Sequence, residues 1–302
     1  MKKLNNLLLL IFPFLIFIFG CQSHNSSDSN NKEVDTLNYV NITVLLDLSN
    51  RIDGILHPDQ VQRDTLIIRE ILNNFSEQVK HNGYIYSKDK IQILIAPQAG
   101  NKTINFNPHI EIAEIAKSNK IVRQVLPQSK TQFIKDVTDI YSSKQMFNGA
   151  DIYTFFKDFP EADFIEKSYE EKSRDGNVFY KYHNKMIIIT DGYLNFEPKT
   201  QAVRCSNNSC MQMNVLRHDS NWKQNFSKFK LKPIEGKNFQ NLEVLLLEIN
   251  PNHPEINVHE SEIIEYYWKQ WFNDINIKYI PLHQATEGIP LVNSSVKSFL
   301  TK

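Results

Sequence analysis

The sequence predicts an α/β protein whose central sheet is doubly wound, mostly parallel and flanked by helices. Three observations carry this. Thr43-Val44-Leu45-Leu46-Asp47 and Met186-Ile187-Ile188-Ile189-Thr190-Asp191 are apolar runs that end abruptly in an aspartate. Continuous apolar runs mark strands buried on both faces of a parallel sheet. Between and after them, strand-like and helix-like segments alternate, the order that builds βαβ units. Residues 39–302 are also enough for one large α/β domain with insertions.

The elements follow in order. Ile42 to Leu46 is the first strand, and Asp53-Gly54 turns the chain towards a helix that begins near Pro58. Proline suits the first helical turn, where its missing N–H is not needed. Val61, Ile68, Leu72, Phe75 and Val79 then share one helical stripe. Lys90 to Ala96 reads as the second strand, with a weak third strand at 102–106 paired to it as a hairpin. Helices are expected around Ile110 to Ser118, around Thr131 to Ser142, and from the segment Phe147 to Tyr153 to about Phe159. Glu161 to Lys172 reads as a solvated, charged connection with a turn at Asp175-Gly176. Lys185 to Thr190, Leu242 to Ile249 and Ile275 to Ile280 complete the strands. Helices at Glu260 to Asn273 and Ser294 to Leu300 complete the chain. Ile264, Tyr267, Trp268 and Trp271 make a core stripe on the first of these, with Tyr266 pointing away from it.

Residues 1–20 read as a secretory signal. Met1-Lys2-Lys3 supplies positive charge, and Leu7 to Phe19 is an apolar run too short to span a membrane. Ile18-Phe19-Gly20-Cys21 resembles the bacterial lipobox, which implies lipidation of Cys21. Residues 21–38 form a polar tether, and 39–302 the domain, with an insertion at about 195–235. The expected location is the cell envelope, with the domain held to a membrane outside the cytoplasm. Basic and acidic residues balance at 34 each, so no field attracts nucleic acid. Cys205 and Cys210 share one short loop and are expected to form a disulfide in an oxidising compartment, or to remain as two thiols.

An acid at the carboxyl end of a buried parallel strand stands on the rim where open α/β sheets bind ligands. Asp47-Leu48-Ser49 and Thr190-Asp191-Gly192, with Asn148-Gly149-Ala150-Asp151-Ile152-Tyr153 between them, resemble the von Willebrand factor type A domain, a Rossmann-type fold, and its metal-ion-dependent adhesion site. The resemblance implies a divalent cation such as Mg²⁺ held by Asp47, Ser49 and Asp191, and a partner protein whose acidic side chain completes the coordination. Arg51 stands where that pattern has serine, and Ala150 where it has threonine. Two readings stay open. Asp151 supplies a further carboxylate to a cation, or the Arg51 guanidinium replaces the metal by bridging the acids or binding the partner's acid itself.

A non-enzymatic, lipid-anchored protein-binding module is therefore the expected function. The alternatives are a metal-dependent hydrolase using the same carboxylates, and a structural envelope protein with a vestigial site. His259-Glu260 starts like the zinc-protease signature, but Ile263 stands at its final position. Ser49 lies outside any Gly-x-Ser-x-Gly context. The segment from Asn195 to Asn221 leaves the same sheet edge as Asp191 and is expected to flank the site.

Overall fold

A computed structural model describes residues 34–301, apart from 56, 85, 98–106, 144–149, 173–175, 195–210, 252–258 and 281–282. The signal segment, Cys21, most of the tether, the 102–106 strand, the Cys205 and Cys210 pair and His253 lie outside the described residues. No described helix is long and apolar enough to cross a membrane.

The architecture is α/β: a mixed, mostly parallel seven-strand sheet flanked by helices. Its strands are β1 (Asp35–Leu46), β2 (Lys90–Ile95), β3 (His109–Glu111), β4 (Tyr169–Lys172), β5 (Asn177–Ile189), β6 (Leu242–Leu247) and β7 (Lys278–Ile280). Their order is β3-β2-β1-β5-β6-β7, with β4 paired to the amino half of β5. Strands β1, β2, β5, β6 and β7 run parallel, while β3 and β4 are antiparallel to their neighbours.

Period-two alternation sends successive β1 side chains to opposite cores. Val44 and Leu46 join a cluster with Ile68, Leu72, Phe75, Val137, Val296 and Phe299. These come from α1 (Gln60–His81), α3 (Val122–Ser142) and α8 (Ile289–Thr301), which follow in chain order with α2 (Ile112–Lys117) preceding α3. Leu45 faces the other cluster, with Phe155, Phe156, Ile264, Trp268 and Trp271. Those belong to α4 (Ile152–Asp158) and α7 (Glu260–Asp274), with the short α5 (Met213–Leu216) and α6 (Trp222–Asn225) packed beside them. Burial on both faces is why the strand cores carry no polar alternation.

Several boundaries differ from expectation, each for a local reason. Helix α3 starts at Val122 rather than Thr131 and contains Pro127. One missing N–H is outweighed there by the burial of Val122 and Leu126. The last strand begins at Lys278, not Ile275. Asn276 takes a left-handed φ of 58° that ends α7 instead. Strand β6 stops at Leu247 because Glu248 has a φ of 71°. The charged connection before β5 contains strand β4, whose Tyr169 stacks on Tyr180 with ring centroids 4.9 Å apart. Both β1 and β5 run past the core at their amino ends as a partly exposed ribbon.

Candidate functional site

The two acids at the strand ends meet because β1 and β5 are parallel neighbours in matched register, Leu46 opposite Ile189. The Asp47 N–H continues the ladder to the Ile189 carbonyl at 3.0 Å. Thr190 is the hinge of the arrangement. Its hydroxyl donates to Asp47 Oδ2 at 2.7 Å and accepts from the Gly192 N–H at 3.1 Å. Asp47 Oδ1 accepts from the Ser49 N–H at 2.9 Å, an Asx-type turn that folds the first loop over its own carboxylate. Asp191 Oδ1 accepts from the Tyr193 N–H at 3.0 Å. Asp47 is buried, whereas Asp191 keeps some access to solvent.

Removal from water raises both acids, and the charge of Asp47 adds to the rise at Asp191. Burial, followed by the charge of Asp47, pushes Asp191 up to about 7. Burial likewise raises Asp47, although Arg51 and the hydrogen bonds from Thr190 and Ser49 pull it down. Such a pair favours a proton or a cation over two bare negative charges.

Arg51 does not bridge the two acids. Its guanidinium forms a two-pronged pair with Asp64 of α1, Nη1 to Oδ2 at 2.8 Å and Nη2 to Oδ1 at 2.9 Å. Towards Asp47 it reaches only the backbone carbonyl, at 3.4 Å. Burial alone would lower the Arg51 pKa, but Asp64 outweighs it and raises it. Arg51 still acts on the acid pair through space, lowering both carboxyls by less than burial raises them.

Asp64 anchors a buried polar network that links the rim to its supporting helices. Tyr141 of α3 donates its hydroxyl to Asp64 Oδ2 at 2.8 Å. Gln60 donates to Asp64 at 2.8 Å and to Glu248 at 3.0 Å. Arg63 Nε and Nη2 hold the two Glu248 oxygens at 2.6 and 2.9 Å. Sequence reading missed Asp64, Gln60, Arg63, Tyr141 and Glu248, although signals for two of them were present. Asp64 interrupts the apolar stripe of α1, four residues before Ile68. Glu248 follows the apolar run of β6 just as Asp47 follows that of β1.

Asp151 lies at the same sheet edge, where its N–H donates to the Pro97 carbonyl just beyond β2. Its side chain caps α4 by accepting from the Thr154 N–H at 2.8 Å. Among the described residues, no group of three or more His, Cys, Asp or Glu side chains could hold a metal ion. The oxygen donors present, two carboxylates with the Ser49 and Thr190 hydroxyls, suit a hard cation that retains several of its waters.

The loop carrying Asp191 is fixed from behind. Trp268 Nε1 donates to the Gly192 carbonyl at 2.8 Å. The Tyr193 hydroxyl and Arg217 Nη2 both donate to buried Glu260 Oε1 at 2.5 Å, tying the returning insertion to α7. Tyr266 is half-buried, edge-on to Trp222 and Phe226. At Gly192, φ is 99°, and an added Cβ would sit 2.8 Å from Ile264 Cγ2 and 3.0 Å from Ile249 Cδ1. Gly192→Ala is expected to destabilise the protein by about 2 kcal/mol, through strain and overpacking together. Urea denaturation checks this, and a loss below the error of that measurement would contradict the close packing.

A cavity of about 720 Å³ lined by Glu166, Tyr182, His183 and Phe239 lies at the amino ends of β5 and β6, the opposite edge from the acid pair. Fold and site thus define an α/β protein with a paired-carboxylate rim. No protein-family model matches this chain, and no curated protein matches it.

Proposed function

We propose that this protein is a von Willebrand factor A-like, lipid-anchored binding module of the bacterial cell envelope. Its rim captures another protein through a divalent cation. The observation that carries the reading is the acid pair itself. Asp47 and Asp191 adjoin at the carboxyl edge of the central strands, and the one arginine of the first motif is spent on Asp64. The strand order, with β3 antiparallel at one edge and the chain diverging from β1 to both sides, supports the same fold family.

Asp47, Asp191 and Ser49 would hold the cation, with Thr190 orienting Asp47. The metal would supply a positive centre able to accept a partner's carboxylate. The chain's own part is to aim the acids, keep Asp47 dry and hold the Asp191 loop rigid through Trp268 and Glu260. Capture needs no general base or nucleophile, so the module is read as non-catalytic. Isothermal calorimetry with MgCl₂ is expected to show one site per chain, lost in Asp191→Asn and in Asp47→Asn. Capture of an envelope partner should cease in EDTA. Absence of binding heat together with EDTA-resistant capture would overturn the cation reading.

A further inference from the structure

We infer that the protruding amino-terminal ribbon of the sheet rests on the lipid surface of the bilayer that anchors the chain, so that the acid rim points away from it. This inference rests on the reading of Cys21 as the lipidated residue.

Four of the nine exposed large hydrophobic side chains among the described residues gather on this one end. They are Val34, Leu37 and Tyr169, each 41% exposed, and Tyr86, 77% exposed. The register explains the gathering. Leu37 of β1 lies opposite Tyr180 of β5, and Tyr180 lies opposite Tyr169 of β4, so all three share one face. Tyr39 stands two residues further along that face, against Tyr182, and its hydroxyl donates to the Tyr86 carbonyl at 2.8 Å. Lys88 lies over the Tyr180 ring, 3.5 Å from its centroid, and donates to the Tyr169 hydroxyl at 2.6 Å. Tyrosines and a lysine with an apolar stem are the side chains suited to the headgroup boundary, wet at one end and apolar along the body.

Chain length selects the bilayer as the occupant. About 13 residues separate Cys21 from Val34. For comparison, a Gly/Ser-type linker of that many residues has a mean span of roughly 20 Å. Fully stretched it reaches about 45 Å. Strand β1 has 12 residues and runs roughly 40 Å from the tethered end to the acid rim. The tether therefore keeps the aromatic end near the surface at high effective concentration, with the rim a strand's length further out. Asp35, Glu170 and Glu171 share this end with Lys88. Apolar and aromatic contact, rather than attraction to anionic lipid, drives the seating.

The test uses the full lipidated chain reconstituted into phosphatidylcholine vesicles whose acyl chains carry a spin-label quencher near the headgroup. A genetically encoded fluorescent amino acid is placed at Tyr86, or at Ile55, which is 90% exposed in the loop beyond the carboxyl end of β1. Quenching at position 86 is expected to exceed that at position 55 several-fold, and to change little when anionic lipid or salt is added. Leu37→Ser combined with Tyr169→Ser should reduce the quenching at position 86. Equal quenching at the two positions, in a chain that floats with the vesicles, would overturn the inference and leave the anchor intact. A chain that does not float with the vesicles would overturn the anchor reading, and this seating with it.

Discussion

Replacing Arg51 with alanine is expected to lower the stability of the fold by about 3–5 kcal/mol. The loss comes from the partner left behind more than from the bond removed. Asp64 is fully buried, and among the described residues Arg51 is the one cation bonded to it. Tyr141 and Gln60 would still donate to the carboxylate, yet neither carries charge. For a domain of this size the change corresponds to a fall in Tm of roughly 5–10 °C. Arg51→Met combined with Asp64→Asn should recover roughly half of it, because the amide keeps an acceptor for Tyr141 and leaves no stranded charge. Thermal denaturation of the single and double variants checks both. A loss below about 1 kcal/mol for Arg51→Ala would return the arginine to the rim as a binding group.

The acid pair is expected to make the metal-free protein less stable as pH rises from about 4 to about 7. Asp191 is pushed up to about 7 from an ordinary value of 3.8, so across that window the folded state binds more protons than the unfolded one. Stability must then fall with increasing pH and level off above the folded pKa. The whole displacement corresponds to about 2–4 kcal/mol once the partial solvent access of Asp191 is allowed for. Asp191→Asn removes the contribution of Asp191 and leaves that of Asp47, which burial also raises, so the variant should match the wild type near pH 4 and exceed its Tm above pH 7. Asp89, also raised by burial, titrates in both proteins and cancels in the difference. Millimolar Mg²⁺ should flatten the wild-type slope and leave the variant unchanged, because a cation favours the ionised pair. Melting curves from pH 4 to 8, with and without Mg²⁺, check each part. A wild-type slope equal to that of the variant would mean that neither burial nor the charge of Asp47 raises Asp191.

Helix α1 shows how far local pattern reaches. Its stripe of Ile68, Leu72, Phe75 and Val79 is buried as the 3.6-residue period requires. The same period placed Asp64 on that buried stripe, where a carboxylate needs a partner from elsewhere. The partner, Arg51, is thirteen residues away and sits in a loop whose conformation depends on Ser49 capping the turn that follows it. Nothing in the spacing chooses between Asp64 and the acid pair as the destination of that guanidinium. Strand β4 was illegible for a related reason. Tyr-Glu-Glu-Lys carries no apolar run, and it is a strand only because β5 projects beyond the core and offers an edge to pair with. Asp151 was legible as an acid at the rim, but its role as the cap of α4 was not, since capping depends on where the helix begins.

By itself the sequence determined that buried parallel strands alternate with helices, and that two of those strands end in aspartates. Runs of apolar residues can satisfy their backbone and leave water in few other ways, and a strand's end is a local property. Tertiary structure alone decided which strands adjoin, that Asp47 and Asp191 therefore stand at one rim where burial and the charge of Asp47 raise Asp191, and that Arg51 turns instead to Asp64. Electrostatic partners are chosen by distance in a low-dielectric interior, and that distance exists only once the sheet and α1 have packed.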